Sequence, residues 1–393
     1  MAAEASRAAG GAPRRLGAVA GESAGPLLIC TGGIHGNEPA GLAAAAEVLA
    51  ELGRRPGRLR GRFVVLAGNR AALAAGRRFL ARDLNRIWLP EHLAGLESPA
   101  GPDDAEAVEQ RELLAALREE IGAAGDREVF FLDLHTSSAP GIPFVCIGDT
   151  LRNRRFARRF PVPVILGLEE QVDGALLEFL NNAGVVTLGF EGGQHEAPES
   201  IENLAAAIWT GLGSAGLLPR RDDRVRAARR LLHRRRQGVP RVLEIRYRHG
   251  LTPGDGFRMR PGYRNFQAIT AGEALADDRD GPIYAFYDAR VLLPLYQGLG
   301  DDGFFLAREV SRFWLWLSRL LRRLRLGTLL PLLPGVERLS VGEDAVLADP
   351  RVARWFTIEI FHLLGYRKRR RRCGRLLFSR RRHDLGRPPR IAL

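Results

Sequence analysis

Few cysteines, a single lysine and the absence of long apolar runs characterise this sequence of 393 residues. The three cysteines, Cys30, Cys146 and Cys373, are too few and too far apart for a disulfide framework or a cysteine-based zinc site. A reducing, cytoplasmic compartment is therefore expected. No run of about 18 uncharged apolar residues occurs, which argues against a conventional transmembrane helix. The first 25 residues lack the continuous apolar segment of a secretory signal, so none is expected.

Positive charge is distributed unevenly along the chain. The net charge of +14 resides in residues 311–393, which hold 20 basic and 6 acidic side chains, while residues 1–310 hold 39 of each sign. Lys368 is the only lysine, so arginine supplies almost all of this charge. A basic segment of this kind suits a polyanionic partner, either a membrane surface or a phosphate backbone.

The order of predicted elements indicates the fold class. Short apolar runs bounded by turn residues predict strands, and the segments between them predict helices. The strands are at 26–32, 61–67, 128–134, 142–147, 162–166 and 185–190, and the helices at 38–53, 105–122, 174–182 and 200–214. This alternation predicts an α/β domain with a mostly parallel sheet over residues 1–216. An Arg-rich connector (217–240), a small β-rich domain (241–310) and a basic, partly helical tail (311–393) are expected to follow.

Three side chains that can bind a metal follow strands of the predicted sheet. His35 and Glu38 lie in the turn TGGIHGNEPAG after the first strand, and His135 ends the apolar strand FFLDLH. Because active sites of α/β sheets form at the carboxyl ends of strands, we expect these side chains to meet. Two histidines and one glutamate, with a fourth position left for water, are a common catalytic zinc site. The sequence therefore predicts one zinc per chain.

Other polar residues are expected around this site. Glu191 follows the last of these strands and precedes two glycines, and it is the candidate general base for a metal-activated water. Asp133, two residues before His135, either holds the ring of that histidine or faces solvent. The polar loop at residues 77–88 contains side chains suited to bidentate binding of a substrate carboxylate: Arg78, Asn85 and Arg86.

Four motifs occur in the order GGIHGNE, RRF-x₃-DLNR, DLHT and FEGGQ. Together they resemble the succinylglutamate desuccinylase/aspartoacylase family of zinc-carboxypeptidase-like hydrolases, over roughly residues 25–310. The resemblance implies an α/β/α catalytic domain with a mixed, mostly parallel sheet, followed by a β-rich domain at the active-site entrance. It also implies zinc on the three predicted ligands, and Glu191 as the catalytic acid/base. In addition, it implies that Arg78 polarises the scissile carbonyl while Asn85 and Arg86 hold a substrate carboxylate.

These inferences predict a zinc-dependent hydrolase that cleaves the acyl amide of an N-acyl amino acid or a similar small carboxylate. A zinc carboxypeptidase acting on a peptide would use the same metal chemistry and remains an alternative. The sequence departs from aspartoacylase proper, which has a further substrate-binding arginine at the place of Asn181 and a tyrosine for which Tyr296 is the nearest candidate. We therefore expect N-acetylaspartate to be a poor substrate.

The tail supports a second, non-enzymatic hypothesis of binding to membrane or nucleic acid. The segment 312–325 (RFWLWLSRLLRRLR) combines tryptophan, leucine and arginine, which suits contact with an anionic membrane. A helix that packs its apolar side on the enzyme is the alternative, and the sequence slightly favours it. Nucleic acid is not expected, because runs such as 369–372 have no interleaved aromatic residues. The oligomeric state is not predicted.

Overall fold

The computed structural model describes residues 13–55, 57–96, 101–339, 345–349, 357–372, 375–388 and 390–393. Its strands are β1 Arg15–Ala20, β2 Ser23–Gly32, β3 Arg60–Ala67, β4 Val129–Ser137, β5 Phe144–Cys146, β6 Val164–Leu166, β7 Val186–Gln194, β8 Val242–Gly250, β9 Arg258–Met259, β10 Ala268–Ile269, β11 Ala274–Asp278, β12 Gly281–Tyr284, β13 Ala289–Leu292, β14 Asp302–Glu309, β15 Val336–Arg338, β16 Ala345–Ala348, β17 Tyr366–Arg372 and β18 Arg375–Arg380. Its helices are α1 Ala40–Gly53, α2 Arg70–Ala75, α3 Pro90–Leu96, α4 Ala105–Ala124, α5 Leu151–Ala157, α6 Leu168–Gln171, α7 Leu176–Asn182, α8 Pro198–Ala215, α9 Asp223–Arg235, α10 Arg312–Arg323 and α11 Thr357–Leu363, with 3₁₀ turns at Leu84–Arg86 and Leu326–Leu332.

One large sheet of eleven strands forms the centre of the molecule, in the order β1-β3-β2-β4-β7-β5-β6-β8-β14-β13-β10. From β3 to β8, five of the six neighbouring pairs are parallel, and only β5 and β7 run antiparallel. The predicted α/β class with a mostly parallel, mixed sheet is confirmed. The carboxyl ends of β2, β4 and β7 therefore lie side by side at one edge.

Helices cover both faces of this sheet because its central strands are apolar on both sides. Along β2, Leu28 and Cys30 pack into the core under α1 and α8, whereas Leu27 and Ile29 pack into a second core under α4. All four side chains are at most 1% exposed. Successive side chains of a strand point to opposite faces, so an uninterrupted apolar run supplies two cores at once. The result is the expected three-layer α/β/α arrangement.

The large sheet continues into the β-rich region at residues 241–310. Strand β8 pairs parallel with β6 and antiparallel with β14, so no gap in the sheet separates the two regions. A separate sheet, β12-β11-β9, lies beside them. The hairpin of β13 and β14 carries the loop at residues 293–301 toward the edge that holds the predicted site. The division into domains at residues 216 and 241 remains a prediction.

The tail is folded and is helical only in part. It contains α10, α11 and an antiparallel sheet in the order β15-β16-β18-β17. This sheet was not predicted from the sequence. Helix α10 packs on the body mainly through its polar side, where Ser318 and Arg322 are 2% and 1% exposed. The expectation that α10 buries its apolar side is therefore wrong: Leu315 and Leu321 are half-buried, but Trp316 is exposed. The charged side chain of Arg322 can be buried in this contact because the carboxylate of Asp149 in the body lies 2.8 Å from its Nη2.

Among the described helices, none has the length and apolar character required to cross a bilayer. Cys30 and Cys146 are buried free thiols. Cys373 lies outside the described residues.

Candidate active site

The three predicted metal ligands converge at the carboxyl edge of the large sheet. His35 and Glu38 lie in the turn from β2 to α1, and His135 lies near the end of β4. All three are buried, and one donor atom from each lies within 4.8 Å of the others. A Cβ at Gly32 would lie only 2.9 Å from the backbone of Gly41 in α1, so the helix approaches the strand end this closely because residue 32 is glycine. This close approach brings Glu38 to the histidines.

The orientation of the two imidazoles fits a metal site. His35 Nδ1 lies 2.8 Å from Glu38 Oε1, and His135 Nδ1 lies 3.2 Å from Glu38 Oε2, so both rings turn Nδ1 to the same carboxylate. The backbone N–H of Thr136 also donates to Glu38 Oε2, at 3.0 Å. Burial alone would raise the pKa of Glu38, but His35 and His135 outweigh it and hold that pKa well below its usual value. Two nitrogens and an ionised oxygen that face one point are a donor set that suits zinc.

Each of these histidines also contacts a second carboxylate through its Nε2 atom. His35 Nε2 lies 3.2 Å from Asp83 Oδ1, and His135 Nε2 lies 3.0 Å from Asp133 Oδ2. Asp133 is fully buried and accepts a hydrogen bond from Thr31, so of its two expected environments the structure has the one beside His135. Carboxylates in this position fix the tautomer and raise the basicity of metal-binding imidazoles. Asp83 was not among the site residues predicted from the sequence, although it lies in the RRF-x₃-DLNR motif.

Glu191 lies on β7 directly opposite His135 on β4. It lines the same pocket, and its buried Oε2 makes no hydrogen bond to any described residue. Burial raises its pKa to about 8, although the positive charges of His135 and Arg78 act in the opposite direction. A carboxyl group with a pKa near neutrality and an unused oxygen can exchange a proton with a bound molecule.

The three predicted substrate-binding side chains also reach the pocket, each with its own partners. Arg78 Nη2 donates to Asp83 Oδ2 at 3.0 Å, and its Nη1 lies 3.7 Å from Glu38 Oε1. The Asn85 side-chain oxygen accepts a hydrogen bond from the backbone of α7, at 2.9 Å. Arg86 Nη2 donates to Asp302 Oδ2 at 2.9 Å. Asn85 therefore braces the pocket wall, whereas the two arginines present cations held by carboxylates.

Part of the pocket lining is apolar, and the β-rich region contributes to it. The apolar lining residues come from the α/β region and from the β-rich region: Leu168, Val172, Leu177, Leu293, Leu295 and Phe305. The Gln297 side-chain oxygen, which also lines the pocket, accepts a hydrogen bond from Asn37 at 2.8 Å and lies 3.1 Å from His195 Nε2. The Nδ1 of His195 in turn lies 2.8 Å from the Thr136 hydroxyl.

Comparison with known proteins finds similarity over the segment that contains these residues. Residues 24–208 match the model of the succinylglutamate desuccinylase/aspartoacylase catalytic domain, and this range contains every predicted ligand and substrate residue. Over this segment, which is slightly less than half of the chain, the protein is similar to the succinylglutamate desuccinylase/aspartoacylase family. Sequence similarity to individual curated members is shorter and covers only about a third of each relative.

A succinylglutamate desuccinylase of Pseudomonas fluorescens is 33% identical over 110 residues, which are 28% of this chain and 30% of the relative. An N-acyl-aromatic-L-amino acid amidohydrolase (carboxylate-forming) of Rattus norvegicus is 40% identical over 122 residues, which are 29% of this chain and 35% of the relative. The crystal structure of a succinylglutamate desuccinylase/aspartoacylase from Rhodobacter sphaeroides matches with a TM-score of 0.53 at 19% identity, over 75% of this chain and 88% of that one. At this identity the structural match establishes the fold.

Asn181 and Tyr296, at which the sequence was expected to differ from aspartoacylase, have defined surroundings in the structure. Asn181 is buried in α7, and its side-chain oxygen accepts a hydrogen bond from Arg381 of the tail at 3.3 Å. Arg381 also pairs with Glu169 on the pocket wall, so its charge is already compensated. The Tyr296 hydroxyl donates to the backbone carbonyl of Arg260 at 2.8 Å and is absent from the pocket lining. Tyr296 is therefore not a substitute for the family's tyrosine.

Proposed function

We propose that this protein is a zinc-dependent amide hydrolase that removes the acyl group from an N-acyl amino acid. The observation that carries the proposal is the convergence of His35, Glu38 and His135 beside the Glu191 carboxyl group. The similarity of residues 24–208 to the desuccinylase/aspartoacylase catalytic domain supports the same class of reaction. So do the names of the two curated relatives, a desuccinylase and an amidohydrolase.

The side chains around the proposed metal site can serve each stage of amide hydrolysis. Zinc held by these ligands would polarise the substrate carbonyl and lower the pKa of a water to about 7. Glu191 accepts a proton from the attacking water and returns it to the leaving nitrogen. Arg78 donates to the carbonyl oxygen as negative charge develops there. A C–O bond forms, the C–N bond breaks, and the products are a carboxylate and an amine.

The charges and the wall of the pocket favour a substrate with one carboxylate and an apolar group. Arg86 and Arg248 both contact the carboxylate of Asp302, so two guanidinium groups meet at this point of the pocket. We expect one substrate carboxylate to bind these guanidinium groups. The apolar lining around Leu177 and Phe305 suits an aliphatic or aromatic group.

A peptide substrate is a weaker alternative. Gln297 lines the pocket and accepts a hydrogen bond at 2.8 Å from Asn37, which joins the loop of the β-rich region to the turn that holds the proposed metal ligands. We expect this connection to limit the length of chain that can reach the proposed metal site. A small substrate is therefore favoured.

Metal analysis and a substrate panel test the proposal together. We expect one zinc per purified chain, and loss of that zinc in H135A but not in H233A, which removes an exposed histidine on α9. Amine release from N-acyl amino acids should be abolished by chelation and restored by zinc. Stoichiometric zinc in H135A would refute the ligand assignment. A zinc-loaded protein that cleaves peptides but no N-acyl amino acid would refute the proposed substrate class.

A further inference from the structure

Helix α10 turns its apolar side toward solvent. The side chains that it buries most deeply are polar: Ser318 donates to the carbonyl of Leu363 at 2.9 Å, and Arg322 donates to Asp149 at 2.8 Å. The large side chains Phe313 and Trp316, in contrast, are each 57% exposed. A surface helix normally packs its apolar stripe against the core. Here polar anchoring holds the helix in place and leaves the apolar stripe unpartnered among the described residues.

Most of the exposed apolar side chains of α10 lie in one stripe along the helix. Phe313, Trp316, Leu320 and Leu324 are spaced by three or four residues and so lie on one side. Trp314 contacts Phe313, with ring centroids 5.2 Å apart. Further exposed leucines follow in the 3₁₀ turn and just after it. We call the whole set the aromatic face: Phe313, Trp314, Trp316, Leu320, Leu324, Leu329, Leu332 and Leu333. Exposed apolar surface on this scale marks a contact with another body.

Arginines border the aromatic face, and the stretch of sequence that forms it contains no acidic residue. Arg312, Arg319 and Arg323 are all exposed, and their spacing of seven and four residues aligns them beside the stripe. Between Glu309 and Glu337 the sequence contains neither aspartate nor glutamate. The partner of this surface must therefore accept apolar side chains and supply negative charge next to them.

We propose that the aromatic face docks on an anionic lipid surface, with α10 lying in the plane of the headgroups. Tryptophan and phenylalanine suit the boundary between headgroups and acyl chains, and the arginines suit anionic headgroups just above it. A symmetric pair of chains joined through this face would bring two sets of these arginines together without carboxylates to balance them. The charge pattern thus favours lipid over a second copy. The proposal does not depend on the hydrolase activity.

Co-sedimentation of the full-length protein with vesicles tests this docking. We expect binding to phosphatidylcholine vesicles that contain phosphatidylglycerol, little binding to phosphatidylcholine alone, and weaker binding at high salt. The variant R312Q/R319Q/R323Q should bind the anionic vesicles on the order of a hundredfold more weakly, since each arginine near such a surface contributes about fivefold. W316S/L320S should also lose binding. The matched control R229Q/R230Q/R234Q removes three exposed arginines from α9 and should bind as the wild type does.

Two results on binding and association would overturn the proposal. One is equal sedimentation of the wild type and both face variants. The other is a vesicle-independent dimer that is lost in W316S/L320S, which would assign the face to a second copy. Fluorescence supplies an independent measurement: bromine-labelled lipids should quench the wild type more than W314F/W316F, which retains the other tryptophans. Equal quenching of the two proteins would likewise exclude insertion of this face.

Discussion

The guanidinium of Arg86 and the carboxylate of Asp302 meet at the pocket, with Arg86 Nη2 2.9 Å from Asp302 Oδ2, although 216 residues separate them in sequence. Asp302 also accepts a hydrogen bond from Arg248, whose Nη1 donates to the backbone of Gln171 at 2.9 Å. The predicted carboxylate-binding arginine is therefore already occupied by a carboxylate from the β-rich region. A substrate carboxylate either shares this cluster or competes with Asp302 for it.

Removing the competing carboxylate should change substrate preference. In D302N, Arg86 and Arg248 keep their charges and lose their shared anion, so a substrate with two carboxylates gains more than a substrate with one. We expect the ratio of kcat/KM for N-acetylaspartate to kcat/KM for N-acetylleucine to rise by about tenfold. The control is D301N, which removes the neighbouring carboxylate that also lines the pocket. An unchanged ratio in D302N would show that Arg86 does not bind the substrate carboxylate.

The wild-type protein should discriminate strongly against N-acetylaspartate. A dicarboxylate needs a cationic partner for each carboxylate, and an unpaired buried charge costs several kcal/mol. Asn181 supplies no charge, and the nearby Arg381 is paired with Glu169. We expect kcat/KM for N-acetylaspartate to be at least about a hundredfold below that for the best apolar N-acyl amino acid. Comparable values would mean that Arg381 leaves Glu169 when the substrate binds.

The parts of the site that could be predicted are those that a parallel sheet brings together. His35, His135 and Glu191 each follow an apolar strand, and the carboxyl ends of neighbouring parallel strands meet at one edge. Gln297 and Asp302 could not be found in this way. They reach the pocket because β8 adds to the edge of β6, and strand-edge pairing depends on long-range packing that local sequence pattern does not encode.

The tail shows a second limit of sequence pattern. The apolar stripe of α10 predicts a buried stripe, since periodicity identifies the two sides of a helix and not which of them packs inward. The side of α10 that packs on the body is the one that carries Arg322, because Arg322 pairs with Asp149, which lies more than 150 residues earlier in the chain. The basic composition of residues 311–393 was evident, but its division into buried and exposed arginines was not.

Glu191 is expected to be essential for turnover and dispensable for metal binding. E191Q preserves the shape of the side chain and removes its ability to take a proton, so we expect kcat to fall by about 10²–10⁴-fold. Zinc content should stay at the wild-type level, because Glu191 is not one of the converging donors. The matched control is E196Q, an exposed glutamate five residues later. A fully active E191Q would move the general base elsewhere, with His195 the next candidate.

The tail should contribute to the stability of the whole protein through one buried arginine. Arg322 contacts Asp149 at 2.8 Å, and both side chains are at most 1% exposed. R322A removes one of the arginines that surround Asp149. Removal of one partner of a buried ion pair typically lowers the free energy of unfolding by about 3–5 kcal/mol. We expect a lower Tm and faster proteolysis of the tail, whereas the exposed R323A should resemble the wild type. A wild-type Tm for R322A would show that the tail packs independently of this pair.

A second contact between tail and body should make stability depend on acid pH. Burial would raise the pKa of Glu244, but Arg367 of the tail and His362 outweigh it and hold that pKa at about 2, below the ordinary value of 4.5. Because the folded-state pKa is the lower one, the ionised carboxylate stabilises the folded state above pH 4.5, and this contribution is lost as the pH falls toward 2. The shift corresponds to roughly 3 kcal/mol. We expect E244Q to be less stable than the wild type at neutral pH, with the difference shrinking between pH 4.5 and 2 in denaturant titrations. A difference that stays constant over this range would show that the carboxylate does not titrate with the tail contact.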